Sequence, residues 1–512
     1  MFLSTRVSGC ALASALAAAA LTTAAAKADT LADVILLAYR TNPSLASQRA
    51  QLRALDESVV QAKTGYRPTL SASLSTTFDD VQTRSAYYKT YDAFTSVGSA
   101  GLNYAQPIYT GGRTRAAVRS AEATVRAGRE ALGAGEQSIL QSVIQYYMDV
   151  RRDQQIVEIR QAELTVLQGQ LDDARQRFKA GDVTETDVLQ SQSQLESARA
   201  TLLLAQGQLQ NSRANFAAVV GESPGELEPE SPLPGLPVKA EDAFDLAEAE
   251  NPSLKQVRLQ ELASREKIAQ ARAANRPTIA LQASGGAVAT NYSGLPFYRT
   301  PGIRSVTVQL ALTQSLFTGG LNSSYIRQAI ETNNSDQINV EVTRRNVVQS
   351  VSQAWNALIA SRASAEMDAR QIATAKAYFE DTEIEYHAGQ RSTLDVLVAE
   401  QALTAAKLAQ ASAHHDAYLG QVALLSAMGR LRPQALLDNF AAYDATANAR
   451  RVNRIGATPW DPVVSVVDSI GAPHAPAARA APVVTPNPTP AAMKPGTQDV
   501  PADAPLITAG HR

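Results

Sequence analysis

Cysteine is almost missing from this chain: there is one in 512 residues, Cys10. It lies in an apolar Ala/Leu stretch, residues 10–21, that follows Arg6 and leads to Ala26-Lys27-Ala28. A positive start, an apolar run and a small-x-small site make residues 1–28 a secretory signal. Without that leader the chain has no thiol, which excludes disulfides and a cysteine nucleophile. Histidine is scarce as well, with five in all. His414 and His415 are adjacent and so face different sides of a helix, a poor arrangement for ligating one metal. An excess of charge is also lacking: the net value is −2, without the basic surface that a nucleic-acid partner requires. Beyond the leader no apolar run reaches the length of about 18 residues that a spanning helix needs. A secreted chain can still enter a membrane as a β-barrel. There is no His-Glu-x-x-His or phosphate loop, and no catalytic residue, metal ligand or cofactor is assigned.

What the chain does have, it has twice. Asn42-Pro43-Ser44-Leu45 returns as Asn251-Pro252-Ser253-Leu254, and Arg67-Pro68-Thr69 as Arg276-Pro277-Thr278, both shifted by 209. Thr110-Gly111-Gly112 returns as Thr318-Gly319-Gly320, and Ala180-Gly181 as Ala388-Gly389, both shifted by 208. A period this long marks a domain-sized duplication rather than a solenoid. The expected organisation is a signal over 1–28, a first repeat over 29–225, a second over 226–440 and a Pro/Ala-rich, disordered tail over 441–512.

Each repeat reads as helix, strand, loop, strand, very long helix, turn, long helix. Pro68 and Pro277 end the first helices and start strands. Strands are expected at about 66–78, 96–108, 277–286 and 303–316, with polar, aromatic loops over 79–95 and 287–302. Leu70, Ala72, Leu74, Thr76 and Phe78 share one face, and Thr69, Ser71, Ser73, Ser75 and Thr77 the other. In the second half Val306, Val308, Leu310 and Leu312 stand opposite Ser305, Thr307, Gln309 and Thr313. An apolar side and a small-polar side suit lipid outside and water inside. Tyr66, Phe78, Tyr104, Tyr109 and Phe317 fall near strand ends, where interfacial aromatics belong.

From Gly112 to Lys179 there is no proline, enough for roughly 100 Å of helix. Helices of that length need partners along their whole length. Val188, Leu195, Leu202, Leu209 and Phe216 recur every seven residues, as do Ala399, Ala406, Ala413, Gly420 and Ala427, which makes coiled-coil seams. Four strands cannot close a membrane barrel, whose smallest form has about eight. The chain must therefore contribute a share. Two copies give a barrel filled by its own side chains; three give one wide enough for an aqueous lumen.

These doubled motifs resemble the TolC-like outer membrane efflux protein family over about residues 29–440. The resemblance implies an α+β membrane fold: a homotrimer whose 12-stranded barrel, four strands per chain, continues into a long α-helical coiled-coil tunnel in the periplasm. It implies a passive exit duct in the outer membrane of a Gram-negative cell, for multidrug efflux or type I secretion. The partners it implies are outer-membrane lipid, a periplasmic adaptor protein and an inner-membrane transporter of ABC or RND type. The competing reading of the residues is a soluble periplasmic coiled-coil adaptor, which would share the helices but not the two-faced strands.

The resemblance also singles out the helical tips at Gly181 and Gly389. In the family an Asp on the first tip is held by a Tyr and an Arg on the second; the matching residues are Asp187, Tyr386 and Arg391. A deeper acidic ring is matched by Asp395, but the usual second acid is here Val398. Capping is a competing role for both acids, since Thr184-x-x-Asp187 and Ser392-x-x-Asp395 open helices in capping-box fashion.

Overall fold

Asn42 and Asn251 do the same work in the two halves. Asn42 separates helix α1 (Leu31–Thr41) from α2 (Pro43–Lys63). Its Oδ1 accepts the backbone N–H of Ser44 at 2.9 Å and of Leu45 at 3.2 Å. Its Nδ2 donates to the Val219 carbonyl, 2.9 Å away near the end of a later helix. Asn251 caps through Ser253 (2.9 Å) and Leu254 (3.2 Å) and donates to the Ala427 carbonyl at 2.9 Å. Proline follows each Asn at the first helical position, where its missing N–H costs nothing. The repeated motif is therefore both a helix cap and a tie across the bundle.

The computed structural model of the chain describes residues 29–83, 91–293, 302–437 and 440–477. The signal over 1–28, the loop aromatics Tyr87, Tyr88, Phe297 and Tyr298, and the chain beyond 477 lie outside these residues. After α2 and a short 3-10 turn come strands β1 (Thr69–Thr83) and β2 (Tyr91–Tyr109). Helices α3 (Arg113–Ala180) and α4 (Glu185–Val220) complete the first repeat. The second runs through α5 (Ala240–Glu250), α6 (Pro252–Ala273), β3 (Thr278–Ser293), β4 (Ile303–Thr313), α7 (Leu321–His387) and α8 (Thr393–Met428). Pro68 and Pro277 stand one residue before β1 and β3.

Three of the strands are longer than their sequence suggests, while β4 stops at Thr313, short of the expected 316. β1 passes 78 to reach Thr83, β2 starts at Tyr91 rather than 96, and β3 runs on through Gly285-Gly286 to Ser293. More than half of the expected loop 79–95 and less than half of 287–302 is thus ladder. Asp79, Asp80 and Asn291 are weak strand formers alone, but pairing to Thr95, Phe94 and Ser96 carries them.

The largest core joins both repeats. Ile144 and Tyr147 of α3, Phe216 of α4, Val351 of α7 and Leu424 of α8 pack together. Tyr147 is buried and its hydroxyl donates to the Glu228 carbonyl at 2.6 Å; burial, with Arg151 opposing, pushes that phenol up to about 12. The heptad seams are buried where the spacing put them, at Leu195, Leu209, Phe216, Ala399, Ala406 and Ala413. A Cβ on Gly420 would meet the Leu358 Cα at 3.3 Å, so the small residue allows α7 and α8 to touch.

The expected disordered tail is corrected over residues 441–477. Helix α9 (Pro433–Leu436) is followed by α10 (Ala447–Val452) and α11 (Asp461–Asp468), which fold back on the first repeat. Phe440 stacks edge-on to Tyr39 at 4.8 Å, and the Arg49 guanidinium lies between Tyr39 and Tyr443. Asn448 donates to Asp56 at 2.9 Å, and Arg67 pairs with Asp461 at 3.2 Å. The prolines that suggested disorder include Pro462, which sits in the first turn of α11.

Candidate functional site: a two-faced sheet and two helical tips

The four strands form one antiparallel sheet in the order β1-β2-β3-β4. Its register sorts the side chains. Leu70 stands opposite Tyr104, Tyr104 opposite Ala283 and Ala283 opposite Val308. Residues paired this way share a face. That face also holds Leu74, Ala100, Leu102, Leu281 and Leu310. The reverse face holds Ser73, Ser75, Ser99, Asn103, Gln282, Thr307 and Gln309. Ser75 and Ser99 hydrogen bond at 2.7 Å, and Gln309 donates to Gln282 at 2.6 Å. The apolar face has no cover among the described residues: Leu74 is 87% exposed and Val306 83%. An uncovered apolar face of this size marks a surface that meets lipid or protein. Among the described residues the outer edges of β1 and β4 are unpaired.

At the base of the sheet the Thr-Gly-Gly turns start α3 and α7. Gly111, Gly112, Gly319 and Gly320 all have positive φ, at 67°, 84°, 60° and 86°, which any side chain would strain. The first turn is also held by the C-terminal segment. Asp468, fully buried, accepts the Thr110 N–H at 2.6 Å, the Thr110 hydroxyl at 2.8 Å and the Gly112 N–H at 3.1 Å. Among the described residues the second turn has no such clasp, and Phe317 before it is exposed. Tyr66, expected at a membrane interface, is buried instead.

At the far end, Gly181 (φ 86°) and Gly389 (φ 76°) close α3 and α7. Asp187 and Asp395 complete capping boxes. Asp187 accepts the Thr184 N–H at 2.9 Å and hydroxyl at 2.7 Å; Asp395 accepts those of Ser392 at 3.0 and 2.8 Å. The Ser392 N–H and hydroxyl hold the Asp395 carboxyl below its usual range. Within one copy, neither Tyr386 nor Arg391 reaches Asp187. Arg391 pairs with Glu385 of its own tip at 2.7 Å. Tyr386 crosses to the first tip by another route: its hydroxyl donates to Asp173 at 3.0 Å. Arg177 centres this link. It pairs with Asp173 at 3.0 Å, lies 4.2 Å over the Tyr386 ring and reaches His387 Nδ1 at 3.0 Å. Burial, with Asp173 alongside, raises the Tyr386 hydroxyl above its usual value. Sequence reading missed Asp173 and Arg177. Their only signal was an acid four residues before a base in the last turns of α3, a spacing common on exposed helices. Among the described residues no group of His, Cys, Asp and Glu could hold a metal, and none of the helices could cross a membrane.

Comparison with known proteins fits this geometry. A family described as outer membrane efflux protein matches residues 34–222 and 243–430, once per repeat. The outer membrane efflux protein BepC of Brucella suis is 33% identical over 423 residues, covering 83% of this chain and 90% of BepC. The outer membrane protein TolC of Escherichia coli is 26% identical, covering 88% of this chain and 92% of TolC. Among solved structures, the CmeC outer membrane channel of Campylobacter jejuni superposes with a TM-score of 0.69 at 16% identity. It covers 83% of this chain and 89% of CmeC. A soluble adaptor is not what this chain resembles. The chain belongs to the outer membrane efflux protein family and is an outer-membrane efflux channel subunit, with its helical part in the periplasm.

Proposed function

We propose that three copies join their sheets edge to edge into one twelve-stranded barrel, the small-polar face lining a water-filled lumen. The helices continue the wall as a periplasmic tunnel. The assembly is a passive duct for efflux or type I secretion, without catalysis of its own. It docks with an inner-membrane transporter through a periplasmic adaptor, and that transporter supplies the energy.

The observation that carries this reading is the register of the sheet. Thr69 pairs with Ala105; shifting the two by 209 and 208 gives Thr278 and Thr313, which also pair. The two hairpins are thus one design used twice. Applying the same shifts to the junction between them, where Gly101 meets Gly286 and Tyr104 meets Ala283, yields Gln309 opposite Thr77 and Leu312 opposite Leu74. Both pairs must lie between copies, and both keep apolar with apolar and polar with polar. The helices point the same way. In α3, 20 of 68 residues are buried, because α6 and α8 pack on it. In α7, its counterpart, only seven of 67 are buried. A neighbour's α2 and α4 would give α7 the cover that α6 and α8 give α3.

Cysteines at Thr77 and Gln309 test this arrangement. Directly opposed antiparallel residues lie about 4.5–5.5 Å apart at Cα, within disulfide reach. The double variant should oxidise to covalent dimers and trimers on a denaturing gel, while each single variant stays monomeric there. A double variant that remains monomeric, in protein shown to be folded, rejects the closure.

The gate is assigned to the tips. Asp187, Tyr386 and Arg391 are its candidate links, with Arg391 free to reach Asp187 of a neighbouring copy by leaving Glu385. Asp395 would supply one carboxylate per copy to a ring, and Val398 removes the second. Exposed ion pairs are worth only about 0–1 kcal/mol each, which suits a closed state that a docking partner must overcome.

A further inference from the structure

Helix α11 is packed inside out. The side it turns toward the protein carries Asp461, Val464 and Asp468; the two carboxylates are engaged with Arg67 and with the Thr110–Gly112 turn. The side it turns outward carries Trp460, Val463, Val466 and Ile470, spaced as one helical stripe. Val466 is 66% exposed and Trp460 62%. A helix resting in water would show the reverse pattern.

Its position explains the inversion. α11 packs on the end of β2 and the start of α3, where the sheet gives way to the periplasmic helices. The register shift between Pro107 and Tyr109 sets Tyr109 opposite Ile279, on the apolar side of the sheet. The Tyr109 hydroxyl donates to the Ile470 carbonyl at 3.2 Å. The outward stripe of α11 therefore continues the apolar band of the strands at the level where that band ends. Arg451 and Arg454, both exposed and in no ion pair among the described residues, precede it.

We propose that residues 450–470 form an interfacial anchor that lies in the periplasm-facing phospholipid leaflet, with the Trp460–Ile470 stripe among the upper acyl chains and Arg451 and Arg454 at anionic headgroups. Tryptophan and valine in the boundary, with cations beside them, are the chemistry of a helix lying on a bilayer rather than crossing it. Each such arginine adds electrostatic attraction to an anionic surface. The anchor sets the depth of the barrel and ties the turn at Gly112 to that depth.

This inference rests on the sheet spanning the membrane, so its test carries a separate control. The chain has two tryptophans, Trp355 and Trp460. Trp355 is packed against the helical core. Full-length protein is reconstituted in phosphatidylethanolamine/phosphatidylglycerol vesicles whose acyl chains are brominated near the headgroup. Bromine quenches indole on contact. The expected result is quenching of a part of the emission that disappears in Trp460→Phe. Unchanged emission in the wild-type protein overturns the anchor, whether acrylamide then finds Trp460 in water or shielded by a second copy. The control is Leu310→Trp in the Trp460→Phe background. Quenching of the strand tryptophan without quenching of Trp460 rejects the anchor alone. If the strand tryptophan also escapes, the membrane-spanning sheet falls and the anchor with it.

Discussion

The Asp468 carboxylate accepts the Thr110 backbone N–H at 2.6 Å across 358 residues of chain. It is the bond that fastens the C-terminal segment to the strand-to-helix turn of the first repeat. Charged hydrogen bonds contribute about 1.5–3 kcal/mol each when buried, and here one oxygen takes three donors. Asp468→Ala should release residues 440–477. Limited proteolysis of the intact channel would show new cleavage there, with the first repeat still protected. Unaltered digestion would mean the packing of Phe440 and Tyr443 holds the segment unaided.

Arg177 and Tyr386 should hold the tips of α3 and α7 together. A cation stacked on a tyrosine contributes about 0.5–1 kcal/mol at a partly exposed site. Tyr386→Phe removes the donation to Asp173, whereas Arg177→Ala removes the stack and the polar contacts to Asp173, His387 and the Tyr386 carbonyl. Single-channel conductance in a planar bilayer should rise in both, and more in Arg177→Ala. Arg391→Ala should raise it through the link proposed between copies. A channel with all three changes and wild-type conductance has its constriction elsewhere.

Asp395 should bind cations at the tip. Its capping bonds to Ser392 keep it ionised, so block by multivalent cations should persist at mildly acidic pH. Asp395→Asn should weaken the block, and Val398→Asp, which adds an acid one turn further on, should strengthen it. Equal block in all three proteins would assign the cation site to other residues.

His415 should make the helical part more stable in acid than in base. The imidazole is 6% exposed and bridges Asp149 of α3, at 2.9 Å, and Asp416, at 2.8 Å. Burial lowers its pKa, but the two carboxylates outweigh burial and raise it above 6.5. A raised pKa means stabilisation that is complete below the unfolded value and is lost as pH rises through the folded one. The difference in unfolding midpoint between wild type and His415→Gln should therefore be largest below about pH 6.5 and shrink above it. A difference that grows with pH would contradict the charged bridge.

Much of this fold was legible because it is periodic and written twice. The proline–strand boundaries at Pro68 and Pro277 and the glycine turns follow from backbone sterics, which are local. So do the alternating faces of β1 and β4. The outer parts of the strands were not legible, because Asp79, Asp80 and Asn291 extend only when a partner strand is present. The C-terminal helices were missed for a related reason. Nothing local shows that Asp468 will meet a turn some hundreds of residues earlier, and their prolines read as disorder. At the tips, the capping roles of Asp187 and Asp395 could be read from spacing. The Asp173–Arg177–Tyr386 cluster could not, because it depends on how two hairpins lie side by side.

The C-terminal strap makes two once-equivalent modules unequal. It leaves from the second module and lands on the first, so that Arg67 and Thr110 gain acidic partners that, among the described residues, Arg276 and Thr318 lack. The first module taken alone would keep the receivers of the strap, Arg67 and Thr110, and lose its donors, Asp461 and Asp468. The strap thus ties the two modules into one asymmetric working unit.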